Sequence, residues 1–247
     1  MQITLSGRSA DIDAALFDLD GTLVDTLGDF VVALGALLDE LGLPRIDGPA
    51  AAPLLGKGVD HLVRSVLELS VCRQRAEELF PVARPIFWRC YLAANGHHSR
   101  VFPGVTQGLD RLRAGGVALA CVTNKPLAFA RPLLAAMELD GYFALVSGGD
   151  SHERMKPDPL PLLVACEALG THPSRTLMVG DSVNDSVAAR AASCPVVLMR
   201  YGYNHGVPVD AVDCDGALDS FTDLFMRNDA ARNTKGRPLA RARKSGQ

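Results

Sequence analysis

The stretch "ALFDLDGTLVD", residues 15–25, carries an apolar run straight into two aspartates one residue apart, Asp18 and Asp20, followed at once by Gly21 and Thr22. Residues 13–18 read as a short buried strand that ends at the first aspartate. Two carboxylates this close repel each other, and burial makes both harder to keep ionised. Something elsewhere in the chain has to offset that cost.

Outward from this strand, residues 26–98 hold helical patterns and no convincing strand. The first runs from about Thr26 to Gly42, with apolar residues at Leu27, Phe30, Val31, Leu34, Leu37, Leu38 and Leu41, and Gly42 and Pro44 stop it. "IDGPAAAP" reads as a loop, and two more helical patterns follow near 57–69 and 73–94. After "FPGV" the pattern changes to alternation. Helices are expected at 104–114, after Pro126, at 158–169 and over "VNDSVAARAA"; strands at 117–123, 143–149, 176–181 and 195–199. Strands alternating with helices specify a parallel sheet covered on both faces. The expected fold is therefore α/β: a doubly wound, Rossmann-like core interrupted early by an all-helical insert. Residues 11–25 and 99–227 form the core, 26–98 the insert, and 228–247 a basic tail that reads as disordered.

Ligands of such a sheet bind at the carboxyl ends of its strands. Those ends carry Asp18 and Asp20, then Thr123, Asn124 and Lys125, then Lys156 in "MKPDP", then Asp181 with Asp185 one helical turn later in "GDSVND". Several carboxylates in one crevice call for a hard divalent cation, and Mg2+ suits oxygen ligands completed by water and phosphate. Lys156 supplies a point charge for a phosphate oxygen, Thr123 a hydroxyl donor and Asn124 an amide. Singly, each of these motifs is common in loops; in this order, each at a strand end, they are specific.

Together they resemble the four motifs of the haloacid dehalogenase-type phosphatase superfamily: "DLDGTLVD", "VTN", "KPDP" and "GDSVND", spanning about residues 13–200. The helical insert resembles that family's cap. Within the superfamily the chain is most similar to phosphoglycolate phosphatases, through "LLGKGVDHLV" (54–63) and "RYGYNHG" (200–206). The resemblance implies that Asp18 is the nucleophile and Asp20 the general acid and base. It implies Mg2+ held by the Asp18 carboxylate, the Asp20 backbone carbonyl and Asp181. Thr123, Asn124 and Lys156 would hold the phosphoryl group. Asp185 would support the metal waters or Lys156 from behind, or be a ligand itself. The implied substrate is a small anionic phosphate ester, 2-phosphoglycolate first. A sugar phosphomutase would share Asp18 and Asp20. A non-enzymatic receiver domain would be about half this length with no insert, and Asp20 disfavours dehalogenase chemistry.

In the insert, Gly56, Lys57 and Gly58 are the expected substrate readers: two glycines admit backbone amides to an anion, and Lys57 adds a charge for a carboxylate. Arg64 is a weaker candidate. His97 and His98 read as a loop at the hinge, Trp88 as cap core, and Tyr201 and Tyr203 as packing at the sheet edge. The net charge of −3 argues against a general nucleic-acid binder. Six dispersed cysteines lack metal-site or redox spacing and read as free thiols. With no basic start before an apolar run, and no run of about 18 apolar residues, neither a leader nor a membrane span is expected, and the cytoplasm is the default.

Overall fold

The computed structural model of the chain describes residues 1–5 and 8–225. The basic tail expected at 228–247 lies outside the described residues. The chain opens with an antiparallel hairpin, β1 (Gln2–Leu5) and β2 (Arg8–Asp11), which the polar opening sequence did not announce. Then come β3 (Ala14–Phe17) and the two-residue β4 (Val24–Asp25). Four helices follow: α1 (Leu27–Glu40), α2 (Gly48–Ala51), α3 (Val59–Ser70) and α4 (Arg73–Ala94). The expected loop at 46–53 thus holds a short helix. Asp47 starts it by accepting the Ala50 N–H at 3.0 Å, with Pro49 in its first turn.

The chain returns through β5 (Arg100–Val101), paired antiparallel with β4. Alternation then runs α5 (Val105–Ala114), β6 (Ala118–Val122), α6 (Leu127–Ala136), β7 (Leu145–Ser147), α7 (Leu160–Leu169), β8 (Thr176–Gly180), α8 (Val183–Ala192), β9 (Val196–Met199) and β10 (Gly216–Leu218). Pro126 caps α6 from outside rather than occupying its first turn. β10, three residues long, is a sixth sheet strand beyond the five that periodicity predicts.

The main sheet has the order β10-β9-β8-β3-β6-β7, and every adjacent pair is parallel. The strand period of two sorts its buried side chains into two layers. Ala15, Phe17, Leu119, Cys121, Leu177, Val179, Val197 and Met199 face α5 and α6. Leu16, Ala120, Val122, Met178, Val196 and Leu198 face α7 and α8. The inserted helices bury a separate core, including Leu34, Leu37, Val63, Val66, Phe87 and Tyr91, to which the sheet side contributes Phe129 of α6. Trp88 meets Phe129 at 4.2 Å between centroids, so it belongs to the seam between the two parts as well as to the cap.

Buried Asp29, on the first turn of α1, fastens the return of the chain. Its carboxylate accepts the N–H groups of Gly96 and His98, each at 2.6 Å, and the Ser99 hydroxyl. His98 is thereby part of the hinge turn. Asp29→Ala would strand two backbone donors and should cost about 3 kcal/mol of stability. Urea unfolding measures this, and a loss below about 1 kcal/mol would mean that the turn holds without the carboxylate.

Candidate active site

β3 lies between β8 and β6, so the loop leaving it is flanked by the ends of both. Asp18 and Asp20 leave β3, Thr123 to Lys125 leave β6, and Asp181 leaves β8, with Asp185 in the first turn of α8. Gly21 lets these loops meet. It has φ +82°, and a β-carbon there would stand 2.3 Å from Asp181 Oδ2.

Lys156 is enclosed among the acids. Its ammonium donates to Val122 O at 2.7 Å and Asp185 Oδ1 at 2.7 Å, and stands 3.1 Å from Asp18 Oδ1. Burial works against its charge, but Asp18 and Asp185 outweigh burial and raise its proton affinity above that of an ordinary lysine. Asp185 spends Oδ2 on the N–H groups of Asp181 and Ser182 and on the Ser182 hydroxyl. Both of its oxygens are therefore engaged in fixing Lys156 and the start of α8.

Asp18 accepts the Leu19 N–H on Oδ1 at 2.7 Å, and among the described residues its Oδ2 accepts no hydrogen bond. Burial pushes Asp18 up to about 6, with Lys156 opposing and Asp185 and Asp20 adding to the rise. Burial also holds Asp181 well above the usual carboxylate range, reinforced by Asp185 and Asp18. Ligand oxygens of Asp18, Asp181 and Asp185 lie within 4.8 Å of one another. An all-oxygen donor set of crowded carboxylates fits a hard divalent cation, which would relieve their repulsion.

Three of the expected site residues, Asn124, Lys57 and Arg64, have surroundings that the sequence does not show. Asn124 does not offer its side-chain amide to phosphate: Nδ2 donates to Lys156 O at 2.8 Å and Gly56 O at 3.0 Å. It pins the Lys156 loop and the cap, and the group it leaves for an anion is its backbone N–H, which has no acceptor among the described residues. Lys57 is half-buried beside His61 and His205, whose proton affinities burial and Lys57 together lower. Arg64 pairs with Glu77 inside the cap at 3.0 Å and covers the Phe80 ring.

The cap is docked on the core. Gly56 O takes hydrogen bonds from Asn124 and, at 3.2 Å, from Asn184, whose Nδ2 also lies 3.3 Å from His205 Nε2. Between cap and core lies a cavity of about 30 Å³. Asp18, Asp20, Thr123 and Asn124 form its core wall, and Phe30, Leu55, Gly56, Gly58 and Leu62 its cap wall; Lys57 is not in either.

Two residues named from the sequence, Lys125 at a strand end and Tyr203 at the sheet edge, have partners that the sequence does not show. Lys125 donates to Asp20 at 2.9 and 3.2 Å and to the Tyr91 hydroxyl oxygen at 2.5 Å. Its position beside "VTN" was the only local signal. Tyr203 does more than pack a sheet edge. Its N–H donates to Asp181 Oδ2 at 2.6 Å, while its hydroxyl donates to Asp25 at 2.9 Å and accepts the Thr26 and Leu27 N–H groups. It joins an acid of the cluster to the strand that leads into the cap. Tyr201 donates to Thr22 O at 2.8 Å in the same region.

A family model described as haloacid dehalogenase-like hydrolase matches residues 12–193. The chain belongs to this family. As a haloacid dehalogenase-like hydrolase it is similar to curated proteins named phosphoglycolate phosphatase. One, from Nitrosospira multiformis, is 44% identical over 209 residues, covering 85% of this chain and 92% of the relative. Another, a plasmid protein of Cupriavidus necator, is 46% identical over 211 residues, covering 85% and 90%. The crystal structure of a predicted phosphoglycolate phosphatase from Haemophilus somnus superposes with a TM-score of 0.82 at 34% identity, covering 87% of this hydrolase and 96% of that chain. Among the described residues, no helix is long and apolar enough to cross a membrane.

Proposed function

We propose that this hydrolase is a Mg2+-dependent phosphomonoesterase that converts 2-phosphoglycolate to glycolate and phosphate through an aspartyl-phosphate on Asp18. The observation that carries the reading is the small cavity between cap and core, walled by Asp18, Asp20 and Thr123. Relatives at 44% and 46% identity that bear the name phosphoglycolate phosphatase support the substrate.

In the first half-reaction the Asp18 carboxylate attacks phosphorus. A bond forms between its oxygen and phosphorus, and the bond from phosphorus to the ester oxygen breaks. Protonated Asp20 gives its proton to the departing alkoxide, which leaves as glycolate with a neutral hydroxyl. In the second, Asp20 takes a proton from water, the water oxygen attacks phosphorus, and Asp18 is regenerated as phosphate leaves. Thr123 and the Asn124 N–H donate to the phosphoryl oxygens. Lys156 has two bonds fixed to Val122 and Asp185 and stands 3.1 Å from Asp18 Oδ1, which places its charge beside the nucleophile and the phosphoryl group that Asp18 would carry. Asp18, the Asp20 carbonyl and Asp181 would hold Mg2+, which when bound offsets negative charge on the transferring group. Asp185 acts behind them by fixing Lys156.

The test is phosphate release from 2-phosphoglycolate, 3-phosphoglycerate, phosphoserine, β-glucose 1-phosphate and a nucleoside monophosphate, with Mg2+ and then with excess EDTA. A preference for 2-phosphoglycolate that EDTA abolishes is expected. Similar rates on all esters would reject the substrate, and activity that survives EDTA would reject the metal.

A further inference from the structure

Resting on the phosphomonoesterase reading above, we infer that Lys125 is the residue that receives the substrate's carboxylate. A cation in the wall of the cavity would match the charge of a carboxylated ester. The wall holds Asp18, Asp20, Thr123, Asn124 and apolar groups such as Phe30, Leu55, Leu62 and Phe129, and its one cationic side chain among the described residues is Lys125.

Lys125 has the environment of a binding group. Its side chain is 2% exposed, and its partners come from both sides of the seam. From the core it holds Asp20; from the cap it meets the Tyr91 hydroxyl. The Phe30 and Tyr91 rings lie 4.6 and 4.5 Å from Nζ, and such faces stabilise a desolvated ammonium without using up an N–H. An anion on this group replaces the hydration that burial removes, in an enclosed site where a charge-assisted hydrogen bond is strong.

The position also fits the reaction. Asp20 is the residue that protonates the ester oxygen. The carboxyl carbon of 2-phosphoglycolate is two bonds from that oxygen, so an ester seated against Asp20 brings its carboxylate to the cation that Asp20 already touches. A longer substrate would carry its anionic group past Lys125 into the apolar cap wall of Phe30, Leu55 and Leu62. Lys57 lies outside the wall, and its glycine neighbours line it instead. Specificity is thus placed on the core loop that follows β6, with the cap supplying the walls that close around it.

The experiment compares kcat/KM for 2-phosphoglycolate with that for ethyl phosphate, which has a methyl group where the carboxylate would be. Lys125→Met should reduce this ratio by at least about tenfold, mainly through KM for the carboxylated ester. Any loss common to both esters reports the disturbance of Asp20 and cancels in the ratio. Lys125→Arg should keep part of the preference, and Lys57→Ala should keep all of it. Glycolate inhibition of ethyl phosphate hydrolysis gives a second readout and should weaken in parallel. If Lys125→Met does not fold, Lys125→Gln, polar but uncharged, is read in the same two ways. An unchanged ratio in the Lys125 variants, or its collapse in Lys57→Ala, overturns the inference. A wild-type enzyme that cleaves neither ester overturns instead the functional reading beneath it, and one that cleaves both equally overturns the substrate.

Discussion

Asp18→Asn should abolish turnover, lowering kcat by at least about four orders of magnitude, while the protein stays folded. An amide oxygen does not displace an alkoxide from phosphorus, and no neighbour can take over the role: Asp20 is engaged by Lys125, and Asp185 is buried under Lys156. The fold survives because asparagine has nearly the same shape and can still accept the Leu19 N–H. Lys156 keeps Asp185 and Val122. The stability effect has a definite sign. Burial raises the Asp18 carboxyl from 3.8 to about 6, so the folded protein binds its proton more tightly than the unfolded chain does. Its contribution to stability is fully present below pH 3.8 and is lost as the pH rises through about 6. At pH 7 without metal the wild type therefore carries a cost that the variant lacks, and in EDTA the variant should melt at or above the wild-type temperature. Mg2+ should raise Tm of the wild type more than that of the variant, since the proposed metal site uses the Asp18 carboxylate. Thermal melts at pH 7, with and without Mg2+, check this alongside an activity assay. Residual turnover near the wild-type level would remove Asp18 from its role as nucleophile.

Which parts of this site could be read from sequence follows from how each residue is held. Asp18, Thr123 and Asp181 end strands β3, β6 and β8, and a buried strand that stops at a polar residue leaves a local signature. Asp185 sits at a helix start, in a pattern that also caps the helix. Lys125 has no such signature in its role, because its partner Tyr91 lies in α4 of the insert, far away in sequence. Tyr203 is similar: what it joins, Asp181 to the stretch Asp25–Leu27, comes together only once the sheet and the hinge have formed. The sequence points to Lys57 as carboxylate reader because glycines flank it. Those glycines do reach the cavity, yet a residue between two wall positions need not face the same way, and nothing local decides which way it turns. Among the strands, β4 and β5 are two residues each and β10 three, too short for a period to register. The hairpin β1–β2 carries mixed polarity in its sequence. The parallel strands of the core, by contrast, are apolar on both faces because helices cover both.

Lys156→Met should cost about 3–5 kcal/mol at pH 7, the range expected when one partner of a buried ion pair is removed. The lysine is 2% exposed and touches Asp185, which is fully buried, and Asp18, so its loss leaves two enclosed carboxylates without a counter-charge. Methionine nearly preserves the volume and keeps the cavity contribution small. Activity should fall by at least about a hundredfold, because the point charge beside the phosphoryl group is gone. Lys156→Arg should not restore it: a planar guanidinium cannot place a single donor between Val122 O and two carboxylates in a space shaped for an ammonium. The destabilisation should shrink as the pH falls below 7, since Lys156 is what opposes the rise of the Asp18 carboxyl, and without it Asp18 takes up a proton more readily and no longer needs the cation. A second substitution separates electrostatics from packing. Adding Asp185→Asn to Lys156→Met removes one of the uncompensated charges while retaining an oxygen for the N–H groups of Asp181 and Ser182. The double variant should be more stable than Lys156→Met alone and equally inactive. Urea unfolding of the single and double variants gives the coupling. If the two losses simply add, Lys156 is a packing element of the fold, and the ion pair is not what holds these loops together.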